Sequence, residues 1–353
     1  MTLGRAKAPR PATRLCLPLL LVVLFVAGGC SASRIPPGPG PTEPAIRQVE
    51  GVERLVMDDG SALRLRAWLP PDQAAPRAVI LALHGFNDYS RAFQASGLAW
   101  AKTGIATYAY DQRGFGDHEQ AGLWAGHERM AADARTAAAV IAARHPGVPL
   151  YLLGESMGGA VAIVAQAGAP IPEVAGTILS APAVWARETM PGYQSAALWF
   201  FARVIPWGKL SGRGLRIQPS DNIPMLRALG RDRRVIKRTR VDAIDGLTDL
   251  MSAAYAAAPA FDVPALLLYG DKDEIVPRRP TYDLWRGLPP QAEGRQRRAL
   301  YREGWHMLLR DLQAQSVRDD IAAWIADPSA ALPSGADRAA EAALEVYRAA
   351  PLE

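Results

Sequence analysis

Cysteine is almost absent. The chain has two, Cys16 and Cys30, and both fall within the first thirty residues. Everything after Cys30 therefore offers no disulfide and no thiolate metal site. Histidine is scarce as well, with five in all (His84, His118, His127, His145 and His306), so few residues qualify as a general base near neutral pH. Net charge is low. The formal value is +5, but residues 1–29 hold Arg5, Lys7, Arg10 and Arg14 with no acid, and the remainder carries only +1. Nothing in the overall charge draws this protein to a polyanion, and no nucleic-acid-binding motif or internal repeat is present, so nucleic acid is not an expected partner. The apolar stretch Leu15 to Val26 is shorter than the ~20 residues of a spanning helix.

What is present begins with an export signal. Basic residues, an apolar core of signal-peptide length and then Val26-Ala27-Gly28-Gly29-Cys30-Ser31 follow in order. Small residues ending directly in cysteine resemble a bacterial lipobox. The resemblance implies that Cys30 becomes the lipidated first residue of the mature chain, held at the membrane of the cell envelope, and Ser31 hints at the outer membrane. An ordinary signal peptide or an uncleaved anchor is the alternative.

Six segments, two of them halves of one core, follow from composition and periodicity. Residues 1–29 read as the lipoprotein signal peptide and 30–46 as a Pro/Gly-rich unstructured tether. From 47 to 182, apolar runs such as Ala78–Leu83, Ile105–Tyr110 and Pro149–Leu153 alternate with helical patterns. This predicts an α/β core with a mostly parallel sheet covered on both faces, preceded by an antiparallel hairpin. The alternation breaks over 183–258, expected to be an inserted helical cap. It resumes over 259–326, and 327–353 reads as an Ala-rich tail expected to hold one short surface helix. Between Ala183 and Arg240 there are twelve Arg or Lys against three acids, beside the bulky side chains Trp199, Phe200, Phe201 and Trp207. These two features suit an acyl-chain entrance or an anionic lipid surface; a solvated face and cap-to-core packing are the plainer alternatives.

The most informative stretch is Gly154-Glu155-Ser156-Met157-Gly158-Gly159. It follows an apolar strand and opens a helix, the context in which G-x-S-x-G places a serine on a strained turn at a strand end. A serine hydroxyl is a weak nucleophile and needs a histidine held by a carboxylate. His306 follows the last strand. Asp271, Asp273 and Glu274 follow the strand before it, and the order Ser156, Asp273, His306 is the one this fold requires. His84-Gly85 and the turn Asp111–Gly116 also lie at strand ends, where loop structure is their expected role.

Together these motifs resemble the monoacylglycerol lipase and lysophospholipase branch of the α/β-hydrolases, grouped with serine aminopeptidases. His84-Gly85, Asp111–Gly116, Gly154–Gly159, Gly270–Asp273 and Glu303-Gly304-Trp305-His306 carry the resemblance over about residues 50–326. It implies Ser156 as nucleophile, Asp273 as the triad acid with Asp271 as the alternative, and His306 as base. It places the oxyanion hole on the backbone N–H groups of Phe86 and Met157. The implied reaction is acyl transfer to serine and hydrolysis of a lipid ester, lysophospholipid or monoacylglycerol, with no cofactor and no metal. A general carboxylesterase, an acyltransferase or a peptidase of the same fold remain open. So does a binding protein without catalysis, against which the filled triad positions argue.

Overall fold

The computed structural model describes residues 32–212, 214, 217–289 and 294–349; the expected signal peptide and Cys30 lie outside them. Along the chain the strands are β1 (Ala45–Val49), β2 (Val52–Val56), β3 (Ala62–Trp68), β4 (Ala78–Leu83), β5 (Ile105–Tyr110), β6 (Leu150–Glu155), β7 (Val174–Ser180), β8 (Lys209–Leu210), β9 (Thr239–Arg240), β10 (Ala265–Gly270) and β11 (Gln296–Tyr301). The helices are α1 (Gln94–Ala101), α2 (His127–Arg144), α3 (Met157–Gln166), α4 (Gly192–Val204), α5 (Ile223–Arg231), α6 (Val241–Ala256), α7 (Arg278–Gly287), α8 (Ala314–Ala326) and α9 (Ala336–Ala349).

Nine strands form one sheet in the order β1-β2-β3-β5-β4-β6-β7-β10-β11. The first three pair antiparallel, and β3 joins β5 antiparallel. All pairs from β5 to β11 are parallel. The central strands β4, β5, β6 and β10 are buried along their whole length, which is why they read as unbroken apolar runs. Side chains still alternate between the two faces. Val79, Leu81 and Leu83 point to the layer holding Leu152, Ala134, Val161 and Leu250. Ile80 and Ala82 point to the layer holding Trp100, Val317, Ile321 and Trp324. Helices α2, α3 and α6 thus cover one face, and α1 and α8 the other.

Three expected boundaries shift. The cap was expected to run to residue 258, but α6 is a core helix: Leu250, Met251 and Ala254 are buried in the core layer where α6 packs on α3 and α2. The stretch that stands off the core ends near the β8–β9 ribbon. The tail 327–353 contains α9, which packs on β11 with Ala340 and Leu344 in the core. Arg297 pairs with Asp337 at 2.8 Å, and Tyr347 donates to Asp283 at 3.0 Å, so α9 closes that side of the core. Of the tether 30–46, the described part is laid down as a strap. Ile35 N donates to Trp124 O at 3.1 Å, Gly40 N and Thr42 N donate to Asp59 O and Asp58 O at 2.9 Å, and β1 begins at Ala45, before the expected core boundary at 47. The expected edge hairpin is the three-stranded meander β1–β3.

The Asp111–Gly116 turn anchors the loop after β5. Asp111 accepts from Ser90 N at 3.0 Å, from Arg66 at 2.9 Å and from Asp117 N at 2.9 Å. Arg113 is almost fully buried. It bonds both oxygens of Asp133 on α2 at 2.6 and 3.0 Å and both of Asp59 in the β2–β3 turn at 2.8 Å. Replacing Arg113 with Met would leave the buried Asp133 carboxylate only Arg129, which bonds its Oδ1 at 2.6 and 3.0 Å, and would take from Asp59 its bidentate partner. The expected cost is about 3 kcal/mol, the low end for a broken buried pair because Arg129 stays, read as a lower urea midpoint; an unchanged midpoint would show that the Arg129 pair alone holds Asp133.

Candidate active site

The turn between β6 and α3 holds Ser156 at φ 53°, ψ −114°, a left-handed backbone that non-glycine residues avoid. Hydrogen bonds hold it there: Ser156 N donates to Ser180 O at 2.9 Å, and Ser156 O accepts from Ala183 N at 2.9 Å and Ala160 N at 3.1 Å. The turn also needs bare backbone. A Cβ on Gly158 would overlap the Leu83 carbonyl, and one on Gly154 would overlap the Gly158 carbonyl. Although Ser156 occupies the position before the helix, its hydroxyl makes no capping bond, so Oγ is not spent on the helix end.

The loop after β4 passes over this turn: a Cβ on Gly85 would stand 3.4 Å from Ser156 Cβ. That puts the residue after Gly85, Phe86, on the loop that passes over the elbow, while Met157 follows Ser156 as the first residue of α3. Among the described residues neither amide donates to a protein acceptor. The Phe86 ring is braced edge-on by Phe115 and Trp124, with centroids at 5.7 and 6.2 Å. The cap reaches the same loop, with Ile236 N donating to Asn87 O at 2.9 Å and Asn87 Nδ2 to Thr239 Oγ1 at 2.7 Å.

Asp273 and His306 come from the loops after β10 and β11. Lys272 N donates to Gly304 O at 3.0 Å, tying the loops together. His306 Nδ1 lies 2.8 Å from Asp273 Oδ2, and both side chains are buried. The other oxygen, Asp273 Oδ1, accepts from Ile275 N at 2.7 Å and Val276 N at 3.0 Å. This assigns the proton to Nδ1 and leaves Nε2 as the basic nitrogen. Burial pulls the His306 pKa down, but the Asp273 charge and hydrogen bond, helped by Glu155, outweigh it, and the net shift is upward. Of the two aspartates left open by sequence, Asp271 turns away to pair with Arg278, and Glu274 accepts from Gln218 N at 2.6 Å.

His84 is fully buried with both ring nitrogens engaged. Nε2 accepts from Gln112 N at 3.0 Å and Nδ1–H meets Gly85 O at 2.9 Å, so it braces two loops as a neutral ring. Three charged residues not singled out in the sequence meet beside the elbow: Asp88, Glu155 and Arg310. Their signal was adjacency alone. Asp88 is two residues after Phe86, Glu155 precedes Ser156, and Arg310 follows His306 by four.

Residues 74–313 match the serine aminopeptidase S33 family of hydrolases. The chain belongs to this family. Among the relatives of this S33 chain, the monoacylglycerol lipase of Mycolicibacterium smegmatis is 28% identical over 277 residues, covering 73% of this chain and 90% of that one. The human monoglyceride lipase is 26% identical over 298 residues, covering 80% and 92%. A soluble variant of the Saccharomyces cerevisiae monoglyceride lipase, solved with a substrate analog, superposes with a TM-score of 0.64 at 20% identity over 83% of this chain and 99% of that one. The fold is the α/β-hydrolase fold, and the S33 match ends at residue 313, seven residues past His306.

Proposed function

We propose that this protein is a serine hydrolase that cleaves carboxylic esters of lipids, with a monoacylglycerol or lysophospholipid as substrate. The observation that carries the reading is the buried, hydrogen-bonded pair Asp273 and His306, its histidine loop tied through Arg310 and Glu155 to the turn that holds a strained serine whose hydroxyl is left uncapped. In this reading His306 Nε2 takes the Ser156 proton as Oγ attacks the ester carbonyl. The tetrahedral oxyanion sits on the Phe86 and Met157 N–H groups, each worth about 3 kcal/mol to the transition state. The alkoxide leaves with the proton from His306, and water then repeats the sequence on the acyl-enzyme. The names of the lipase relatives support the substrate class.

The cap supports a lipid substrate too. Trp199, Phe200, Phe201 and Trp207 are about half exposed, between 46% and 53%, so they do not close the cap onto the core. Arg187, Arg234 and Arg240 spend their charge on Asp245 and Asp249, Asp117 and Asp242. Arg227, Arg231, Arg233 and Arg238 are exposed and form no ion pair among the described residues. These aromatic and basic side chains suit contact with an anionic lipid surface. Among the described residues no helix is long and apolar enough to cross a membrane. Attachment at the bacterial envelope through lipidated Cys30 belongs to the same proposal.

The test is hydrolysis by the fragment lacking residues 1–30. Short and long p-nitrophenyl esters, monoacylglycerol and lysophosphatidylcholine are compared, with Ser156→Ala as control. Long-chain lipid turnover is expected; turnover of short esters alone would reduce the reading to a general esterase, and none at all in folded protein would overturn it. Trp199→Ala and Phe201→Ala are each expected to weaken turnover of vesicle-borne substrate by roughly fivefold, about 1 kcal/mol of lost burial, while short soluble esters are cleaved as before. Equal loss on both substrates would place these rings in the active site instead.

A further inference from the structure

Arg310 is buried, with 9% of its side chain exposed, and it bonds carboxylates from two different loops. Nη1 lies 2.6 Å from Asp88 Oδ2, and Nη2 lies 3.3 and 3.4 Å from the Glu155 oxygens. Its backbone O accepts from Asn222 Nδ2 of the cap at 2.9 Å, and its N–H donates to Met307 O at 2.8 Å. One guanidinium therefore joins the loop carrying Phe86, the elbow carrying Ser156 and the loop carrying His306, and its backbone adds the start of α5. Acyl transfer itself does not need a charge there. Burying one cation and two anions is costly, and apolar packing of similar volume would be at least as stable. What a planar two-pronged cation supplies, and apolar packing cannot, is directional registration of two carboxylates.

We propose that Arg310 is a positioning residue: it locks the oxyanion loop, the nucleophile turn and the base loop in register, and with Glu155 it sets the electrostatic field at His306. The proposal rests on the assignment of Ser156, Asp273 and His306 given above. The charged groups bearing on His306 are Asp273 from the loop after β10, Glu155 from the end of β6, and Arg310 from its own loop. Asp273 and Glu155 favour the imidazolium, and Arg310 opposes it. Removing the two partners of one ion pair therefore has opposite effects on the same histidine, which loss of packing alone would not produce.

The experiment compares wild type with Arg310→Gln, Arg310→Lys, Glu155→Gln and Asp88→Asn. His306 is titrated by NMR, its signal assigned by difference from His306→Gln, and kcat and KM are measured on a short p-nitrophenyl ester. Arg310→Gln is expected to move the His306 titration to higher pH, and Glu155→Gln to lower pH. Arg310→Lys keeps the titration near the wild-type position but lowers kcat, because a point charge cannot hold both carboxylates. Arg310→Gln and Asp88→Asn each lower kcat by roughly 10²-fold through misplacement of the loops, with KM within about threefold. Titrations that shift the same way or not at all, or Arg310→Lys with wild-type kcat, would overturn the proposal. Should Arg310→Gln fail to fold, Glu155→Gln and Asp88→Asn decide it. A wild type that cleaves no ester would overturn the functional reading, while the NMR titration, which needs no substrate, would still decide the field that Arg310 and Glu155 set.

Discussion

Ser156→Ala is expected to lower ester turnover by about 10⁵- to 10⁶-fold, with the protein still folded. The size follows from what is removed. Without Oγ there is no acyl-enzyme, and His306 has no proton to take. What remains is rate enhancement from the oxyanion donors and substrate binding, acting on an unassisted water. Folding should survive because the hydroxyl does not cap α3, and alanine must only tolerate the φ of 53° that serine already adopts. Alanine at this position also leaves the Ser180 and Ala183 backbone bonds in place. Turnover and reaction with a fluorophosphonate should vanish together. Retention of either would move the nucleophile elsewhere.

Asp273→Asn is expected to cost about 10⁴-fold in kcat. An amide can offer His306 Nδ1 an NH₂ group as well as an oxygen, and either way the stabilising charge for the imidazolium is gone. The pH dependence gives the sign. The base must be neutral, so kcat/KM rises with pH through the His306 pKa and is lost below it. In the wild type that limb should lie above the ordinary histidine value, because the Asp273 carboxylate outweighs burial. In the Asp273→Asn variant burial acts without its main opponent, and the limb moves to lower pH. A 10⁴-fold loss with an unmoved limb would mean that Asp273 orients the ring but adds no field. Asp271→Asn, two residues away and paired with Arg278, should leave both rate and limb near wild type.

The order of strands and the loops bearing the chemistry could be read from sequence because each central strand is buried on both faces. Ala78–Leu83, Ile105–Tyr110 and Pro149–Leu153 have no charged side to obscure their ends, and Ser156 follows soon after the last of them; His306 instead follows the edge strand β11, with Arg297 and Arg298 in it, and was legible from its place after the last strand. The choice between Asp271 and Asp273 could not be read, since both occupy one turn and only the fold decides which faces the histidine. Helix α9 was legible as a short surface helix, but its docking on the core was obscured by composition: alanines such as Ala340 make its buried face, and alanine contrasts little with its surroundings. Helix α6 was hidden by neighbours, since the apolar clusters of α4 precede it and suggested one continuous cap. The strap failed for a different reason. Proline and glycine signal lack of self-sufficient structure, yet residues 35–42 take their hydrogen-bond partners from Trp124, Asp58 and Asp59, which local composition does not reveal.

That strap limits how far the enzyme can stray. Arg34 bridges to Trp124 four residues after Cys30, so if Cys30 is the lipidated residue, as proposed, the leash could reach no more than about 14 Å at full extension. The leash leaves the body beside α6, where Asp245 and Asp249 line both the cleft holding Ala32–Arg34 and the cleft under Trp199 and Arg203. Under the proposed attachment at Cys30, a domain on so short a leash would not tumble freely above a membrane. Its fastening point and the aromatic side of its cap would share one hemisphere, turned toward the surface from which its substrate is drawn.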